Sequence, residues 1–146
     1  MERYIASDLK AWKESPDRRP LILKGVPQCG KTHVAMDFGI GNHIDLTYFD
    51  VPEHPELEDS FESDVDDMFR EMSLINGTPP GNGTLLVLDH VEHCDGIWDA
   101  VSRLHHGHPG IHIMCVTSRG GPKDDDGFDT IVMRPMCFGE FVLACG

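Results

Sequence analysis

Apolar residues recur along this chain in two rhythms. Leu21-Ile22-Leu23, Leu85-Leu86-Val87-Leu88, the run from Ile111 to Val116, and Ile131-Val132-Met133 are short and continuous. Such runs suit strands buried on both faces, and residues 44–51 read as one more strand. Between the strands, apolar residues fall at helical spacing. Ile5, Leu9 and Trp12 predict a helix over 4–12. Leu57, Phe61, Val65, Met68, Phe69, Met72 and Ile75 predict one amphipathic helix over 57–75, with acids on its other face. Further helices are predicted to start at Lys31-Thr32 and to span 97–104 and 138–144. Ser15-Pro16-Asp17, Pro52 and Pro55 break the chain, residues 76–83 form an exposed loop, and 120–127 form an acidic turn. Strands alternating with helices predict an α/β fold with a mostly parallel five-stranded sheet. Right-handed crossovers then place helices on both faces, as a three-layer sandwich.

The junction between the first strand and the next helix carries the sharpest chemistry. Gly25-Val26-Pro27-Gln28-Cys29-Gly30-Lys31-Thr32 matches G-x-x-x-x-G-K-[ST] in full, with His33 directly after it. In this Walker A pattern the glycines let backbone N–H groups converge on phosphate oxygens, and the helix N-terminus adds partial positive charge. Lys31 is placed to reach the β- and γ-phosphates, and Thr32 to offer its hydroxyl to Mg²⁺. A glycine turn with an accidental Gly-Lys-Thr is the bland alternative, and the flanking strand and helix argue against it.

A nucleotide site of this kind also needs an acid at the end of an apolar strand. Leu85-Leu86-Val87-Leu88-Asp89 supplies one, so Asp89 is the expected Walker B residue, holding Mg²⁺ mostly through water. By itself it would read equally as a strand-end Asp capping a turn. ATPases of this type often place a water-activating Glu next, whereas this chain has His90. Histidine serves as a base but does not simply replace a carboxylate beside Mg²⁺. In an extended chain Glu92 would lie on the same side as His90, as a substitute base; its plain reading is a solvated acid at a helix start. Thr117-Ser118, ending the fourth strand, offers a hydroxyl near the γ-phosphate or is simply a turn. Arg119 and Arg134 are candidate phosphate contacts, though an exposed Arg is usually just solvated.

Composition narrows the partners. Over 146 residues, 25 acids against 12 bases give a net charge of −13. That argues against a nucleic-acid partner for this domain alone and against anionic membranes. No apolar run approaches the ~20 residues of a membrane span. Met1-Glu2-Arg3-Tyr4 has no apolar signal core, so the expected compartment is the cytoplasm. The cysteines, 29, 94, 115, 137 and 145, are scattered and odd in number, which does not suit a disulfide framework or a zinc ribbon. His105, His106, His108 and His112 cluster near a helix end, where histidine suits the terminal carbonyls better than a zinc site. Asp124-Asp125-Asp126 lacks the alternating spacing of a calcium loop.

Several segments together resemble the prokaryotic AAA-type ATP-binding proteins of the P-loop superfamily. They are Arg19-Pro20-Leu21-Ile22-Leu23-Lys24-Gly25, the phosphate loop, Leu46-Thr47-Tyr48-Phe49-Asp50, Leu85 to Asp89, Val116-Thr117-Ser118, and Arg134-Pro135-Met136-Cys137-Phe138-Gly139-Glu140-Phe141. The last is similar to the family's Pro-Leu-Ser-Phe-x-Glu-Phe and is the most discriminating. The resemblance implies a P-loop NTPase sandwich with the phosphate-loop strand between the fourth and fifth strands. It implies ATP as ligand, phosphate contacts from Gly25, Gly30, Lys31 and Thr32, Mg²⁺ at Thr32 and Asp89, and a polar fourth-strand residue at Thr117 or Ser118. His90 departs from the family's acid, and Thr117-Ser118-Arg119 from its Gly-Ser-Ser-like turn. Such proteins often carry a nuclease-like C-terminal domain, so residues 1–146 are expected to be the ATPase core, without lid or further domain. The expected function is Mg²⁺-ATP binding with weak or partner-dependent hydrolysis, the partner being another protein or a second copy. A non-hydrolysing nucleotide switch or interaction module is the alternative. A small-molecule kinase fits less well, because residues 120–127 do not resemble an Arg-rich lid.

Overall fold

The computed structural model describes residues 2–26, 30–42, 45–94, 96–119, 121–122 and 127–133. The elements run α1 (Glu2–Glu14), β1 (Leu21–Gly25), α2 (Lys31–Asn42), β2 (Asp45–Asp50), α3 (Pro55–Ser60), α4 (Val65–Asn76), β3 (Thr84–Asp89), α5 (Ile97–Gly107), β4 (His112–Thr117) and β5 (Asp129–Met133). Single 3₁₀ turns follow β2 (Val51–Glu53) and β3 (Val91–His93). The strands form one sheet in the order β2-β3-β4-β1-β5, and every pairing is parallel. β1 thus lies between β4 and β5, as the resemblance implies.

Alternation along the strands sorts side chains into two cores. Leu21, Leu23, Leu85, Val87, Met114 and Val116 face one side, where Ile5, Leu9 and Trp12 of α1 and Ala35 and Phe38 of α2 cover them. Ile22, Leu86, Leu88, Ile113 and Cys115 face the other, under α3, α4 and α5. α2 sits so close to the sheet that a Cβ on Gly39 would fall 2.7 Å from Leu46 Cδ1 and 3.0 Å from Leu85 Cδ2.

The predicted helix over 57–75 is two helices. Pro55, expected only to break the chain, opens α3 at its first turn, where its missing N–H costs nothing. α3 ends at Ser60, and Asp64 turns extended (φ −80°, ψ 173°) to cap α4, accepting from Asp67 N at 2.9 Å. Such a cap is worth about 1 kcal/mol. The apolar stripe survives the break because Leu57, Phe61, Met68 and Met72 all enter the same core. Ile75, read as part of the stripe, is 37% exposed at the helix end. The chain after β3 is not extended: His90 is left-handed and Glu92 lies in the 3₁₀ turn. The expected helix over 138–144 and most of the acidic turn 120–127 lie outside the described residues. No helix among the described residues is long and apolar enough to cross a membrane.

Candidate nucleotide-binding site

In an all-parallel sheet the carboxyl ends of the strands share one edge, where α/β folds bind ligands. Here that edge carries Asp50, Asp89, Thr117 and Gly25, the last residues of β2, β3, β4 and β1. From Gly25 the chain enters the glycine loop. Gly30 has φ +91°, a left-handed turn that suits a residue without Cβ, and its carbonyl accepts from Val34 N at 3.0 Å in the first turn of α2. Lys31 is buried, and its Nζ donates to Gly25 O and Val26 O, each at 2.8 Å. The ammonium therefore lies under the backbone of the loop it belongs to. Pro27, Gln28 and Cys29 lie outside the described residues.

Alternation puts Asp89 on the same sheet face as Leu85 and Val87, the face that α2 covers. Its carboxylate is 1% exposed, so its charge must be met by hydrogen bonds. Three are present. Thr32 Oγ1 donates to Oδ2 at 2.7 Å, Tyr48 OH donates to the same oxygen at 2.5 Å, and His90 N donates to Oδ1 at 2.9 Å. Because the Thr32 proton points to Asp89, the hydroxyl's lone pairs remain for a cation. A hydroxyl and a carboxylate are hard oxygen donors of the kind Mg²⁺ prefers, with water completing its shell. Burial, then the hydrogen bond and charge of Asp89, and then the charges of Asp50 and Glu53 push the Tyr48 phenol far above its ordinary range, so it acts as a donor.

His90 adopts φ 58°, ψ 49°, a conformation in which histidine is commoner than most residues. Its Nδ1 lies 3.0 Å from Asp50 Oδ1 and 3.6 Å from Asp89 Oδ2. Facing two carboxylates, Nδ1 is the nitrogen that carries the proton, which leaves Nε2 as the second face of the ring. Partial burial opposes a charge on the ring, but the Asp50 hydrogen bond and the charges of Asp89, Asp50 and Glu92 outweigh it and raise the pKa. Glu92 turns to β4: Ser118 N donates to Oε1 at 2.7 Å. Burial acts to raise the Glu92 pKa, yet its hydrogen bonds, backbone ones foremost, and the charge of His90 hold it below the usual range.

The predicted residues therefore divide. Thr32, Asp89 and His90 are in contact, Lys31 lies under the adjoining glycine loop, and Glu92 is bonded to the β4 end. Thr117 is fully buried, and its hydroxyl donates to Arg119 O at 2.6 Å rather than to Asp89 or Thr32. Val26 and the Arg119 side chain are exposed. His33 points along the surface of α2 to Asp37, 3.1 Å away. Arg134 lies outside the described residues. Tyr48 and Asp50 received no role from the sequence. No sequence signal gave them one, because their place beside Asp89 comes from the register of β2 on β3.

The other clusters have different occupations. His106 Nδ1 lies 2.7 Å from Ser102 O, His108 packs edge-on to Phe69, and His112 packs edge-on to Trp12. Among the described residues, no three His, Cys, Asp or Glu side chains converge as a metal site. Cys94 and Cys115 are buried, and burial foremost pushes the Cys115 thiol up to about 12. An open cleft between α1 and β5, lined by Trp12, Leu21 and Asp129, lies at the amino ends of the strands, away from the glycine loop.

A five-stranded parallel sheet with a glycine loop between β1 and α2 defines a P-loop NTPase domain. The chain belongs to the AAA domain family, which it matches over residues 17–142. It is thereby an AAA-type P-loop ATPase domain, a class whose general property is nucleotide binding. A comparison with curated proteins found no match. Among solved structures, the chain is similar to the Aeropyrum pernix ORC1 protein in complex with DNA, at 13% identity and a TM-score of 0.57, covering 92% of this chain and 44% of that one. It is also similar to Caenorhabditis elegans PCH-2, at 16% identity and a TM-score of 0.48, covering 91% of this chain and 41% of that one. The chain thus spans less than half the length of either structure.

Proposed function

We propose that this domain binds Mg²⁺-ATP through a Walker A loop at 25–32 and a Walker B residue at Asp89, and hydrolyses it slowly unless a partner assists. The observation that carries this reading is the 2.7 Å bond from Thr32 to Asp89, which joins the loop to the strand end. Lys31 stands at the loop, where it exchanges carbonyl contacts for phosphate oxygens. Backbone N–H groups at the start of α2 add to the phosphate cradle. Thr32 and Asp89 would hold Mg²⁺, which would supply neutralisation of phosphate charge.

Slow turnover follows from the next residue. His90 occupies the place of a water-orienting carboxylate, and its Nδ1 is engaged with Asp50. Glu92, the nearest acid downstream, already accepts from the Ser118 backbone. The same two observations favour the second reading, a nucleotide-dependent switch that hydrolyses little. In both readings residues 1–146 act as a single nucleotide-binding domain, and an arginine from a protein partner or second copy completes the site. DNA is bound by the ORC1 relative, but a net charge of −13 does not favour it here. Calorimetric titration with ATP, ADP and GTP, with and without Mg²⁺, together with a phosphate-release assay, tests the reading. Absence of Mg²⁺-dependent nucleotide binding would overturn it.

A further inference from the structure

Asp89 receives a hydrogen bond that the phosphate loop does not require. Tyr48 stands opposite Val87 in register, and Asp50 stands opposite Asp89. The Tyr48 hydroxyl therefore reaches diagonally along the strand pair to a residue two positions further on. Diagonal neighbours are about 7–8 Å apart, within reach of an aromatic side chain but not of Ser or Thr. The ring is half-buried and packs against the core beneath α2, so the hydroxyl sits on a rigid arm with few rotors.

We infer that Tyr48 is a positioning residue for Asp89: its phenol holds the carboxylate in the one orientation that serves Mg²⁺-nucleotide together with Thr32. The inference rests on the nucleotide reading above and deepens it. A carboxylate turns about a broad, roughly two-fold torsion, and to the bonds from Thr32 and His90 N the Tyr48 hydroxyl adds a third, from the neighbouring strand, that limits this rotation. Each carboxylate oxygen has two acceptor sites. The Tyr48 and Thr32 hydroxyls fill both sites on Oδ2, and His90 N takes one on Oδ1. One acceptor site remains, with its direction set. Partners of this outer kind typically matter about 10–100-fold in metal affinity when removed.

Tyr48→Phe removes the hydroxyl and keeps the ring in its core. Wild type and variant are titrated with a fluorescent ADP analogue in excess Mg²⁺ and again in EDTA, and each is checked for folding by thermal unfolding. The expected result is that the Mg²⁺ enhancement of affinity falls about tenfold, while affinity in EDTA stays within about twofold. In an Asp89→Ala background, Tyr48→Phe has no further effect, because the residue acts through that carboxylate. A general packing role would lower both affinities alike, or persist without Asp89, and either result would overturn the inference. An unchanged Mg²⁺ enhancement in Tyr48→Phe would overturn it while leaving nucleotide binding intact. A wild type that binds no nucleotide would overturn the underlying reading as well.

Discussion

Two halves of the candidate site meet at Asp89 and differ in almost every physical respect. On the α2 side, Lys31 and Asp89 are 8% and 1% exposed, and their polar atoms are held by backbone carbonyls and hydroxyls. On the β2 side, the His90 side chain is 55% exposed and rests on the partly buried Asp50. The first half has the burial and fixed geometry that make electrostatic contacts to phosphate strong. The second half, where water would be oriented, is open to solvent and lacks the expected carboxylate. Under the proposed function, the contrast makes gripping a nucleotide and cleaving it separable. Each half should therefore fail, or improve, without the other.

The largest effect should come from the exposed half. His90→Glu restores a carboxylate beside Asp89 and should raise steady-state phosphate release by about a hundredfold over wild type, the lower range for a positioned base. Asp89→Ala sets the floor of that assay. A His90→Glu variant no faster than the floor would break the comparison. In the buried half, Lys31→Ala should weaken ATP binding at least tenfold by calorimetry, about the loss of one charge-assisted contact. Lys31→Arg should not rescue it, because a planar guanidinium does not replace a compact ammonium lying under two carbonyls. Equal affinity of Lys31→Ala and wild type would remove the grip from this half altogether.

The smallest effect sharpens the boundary. The His90 pKa is raised in the folded chain, so its contribution to stability is full below the ordinary value of 6.5. It is lost as pH rises through the raised folded value. Asp50→Asn should bring the His90 titration, followed by NMR of the ring protons, down towards 6.5, and should flatten the loss of stability above that pH. An unmoved titration would mean that Asp50 does not hold the ring.

Much of this was legible beforehand, for reasons that particular residues show. The strands could be read because sheets covered on both faces demand continuous apolar runs, and Leu85 to Leu88 is such a run. The meeting of Thr32 with Asp89 could be anticipated because the motif pairs a loop hydroxyl with a strand-end acid in residue type and local order. The break at 61–64 was hidden because both helices bury the same stripe, so apolar periodicity continued through a cap that Asp64 alone signals. Tyr48 and Asp50 were hidden for a different reason. Their significance depends on β2 lying beside β3, a contact between distant segments that no local pattern encodes. The fate of Glu92 depended on backbone direction, which the left-handed His90 changes.

One consequence lies in the missing side chain of Gly39. Thr32 and Gly39 lie on one helix, about 10 Å apart at 1.5 Å per residue. The helix rests on the sheet at Gly39 as a beam rests on a fulcrum, with Leu46 and Leu85 beneath it. A methyl group there would press on the Leu46 and Leu85 side-chain ends, which would have to give way for the helix to keep its seat. The close seat of the helix that carries Thr32 thus depends in part on a residue that contributes no atom to the site.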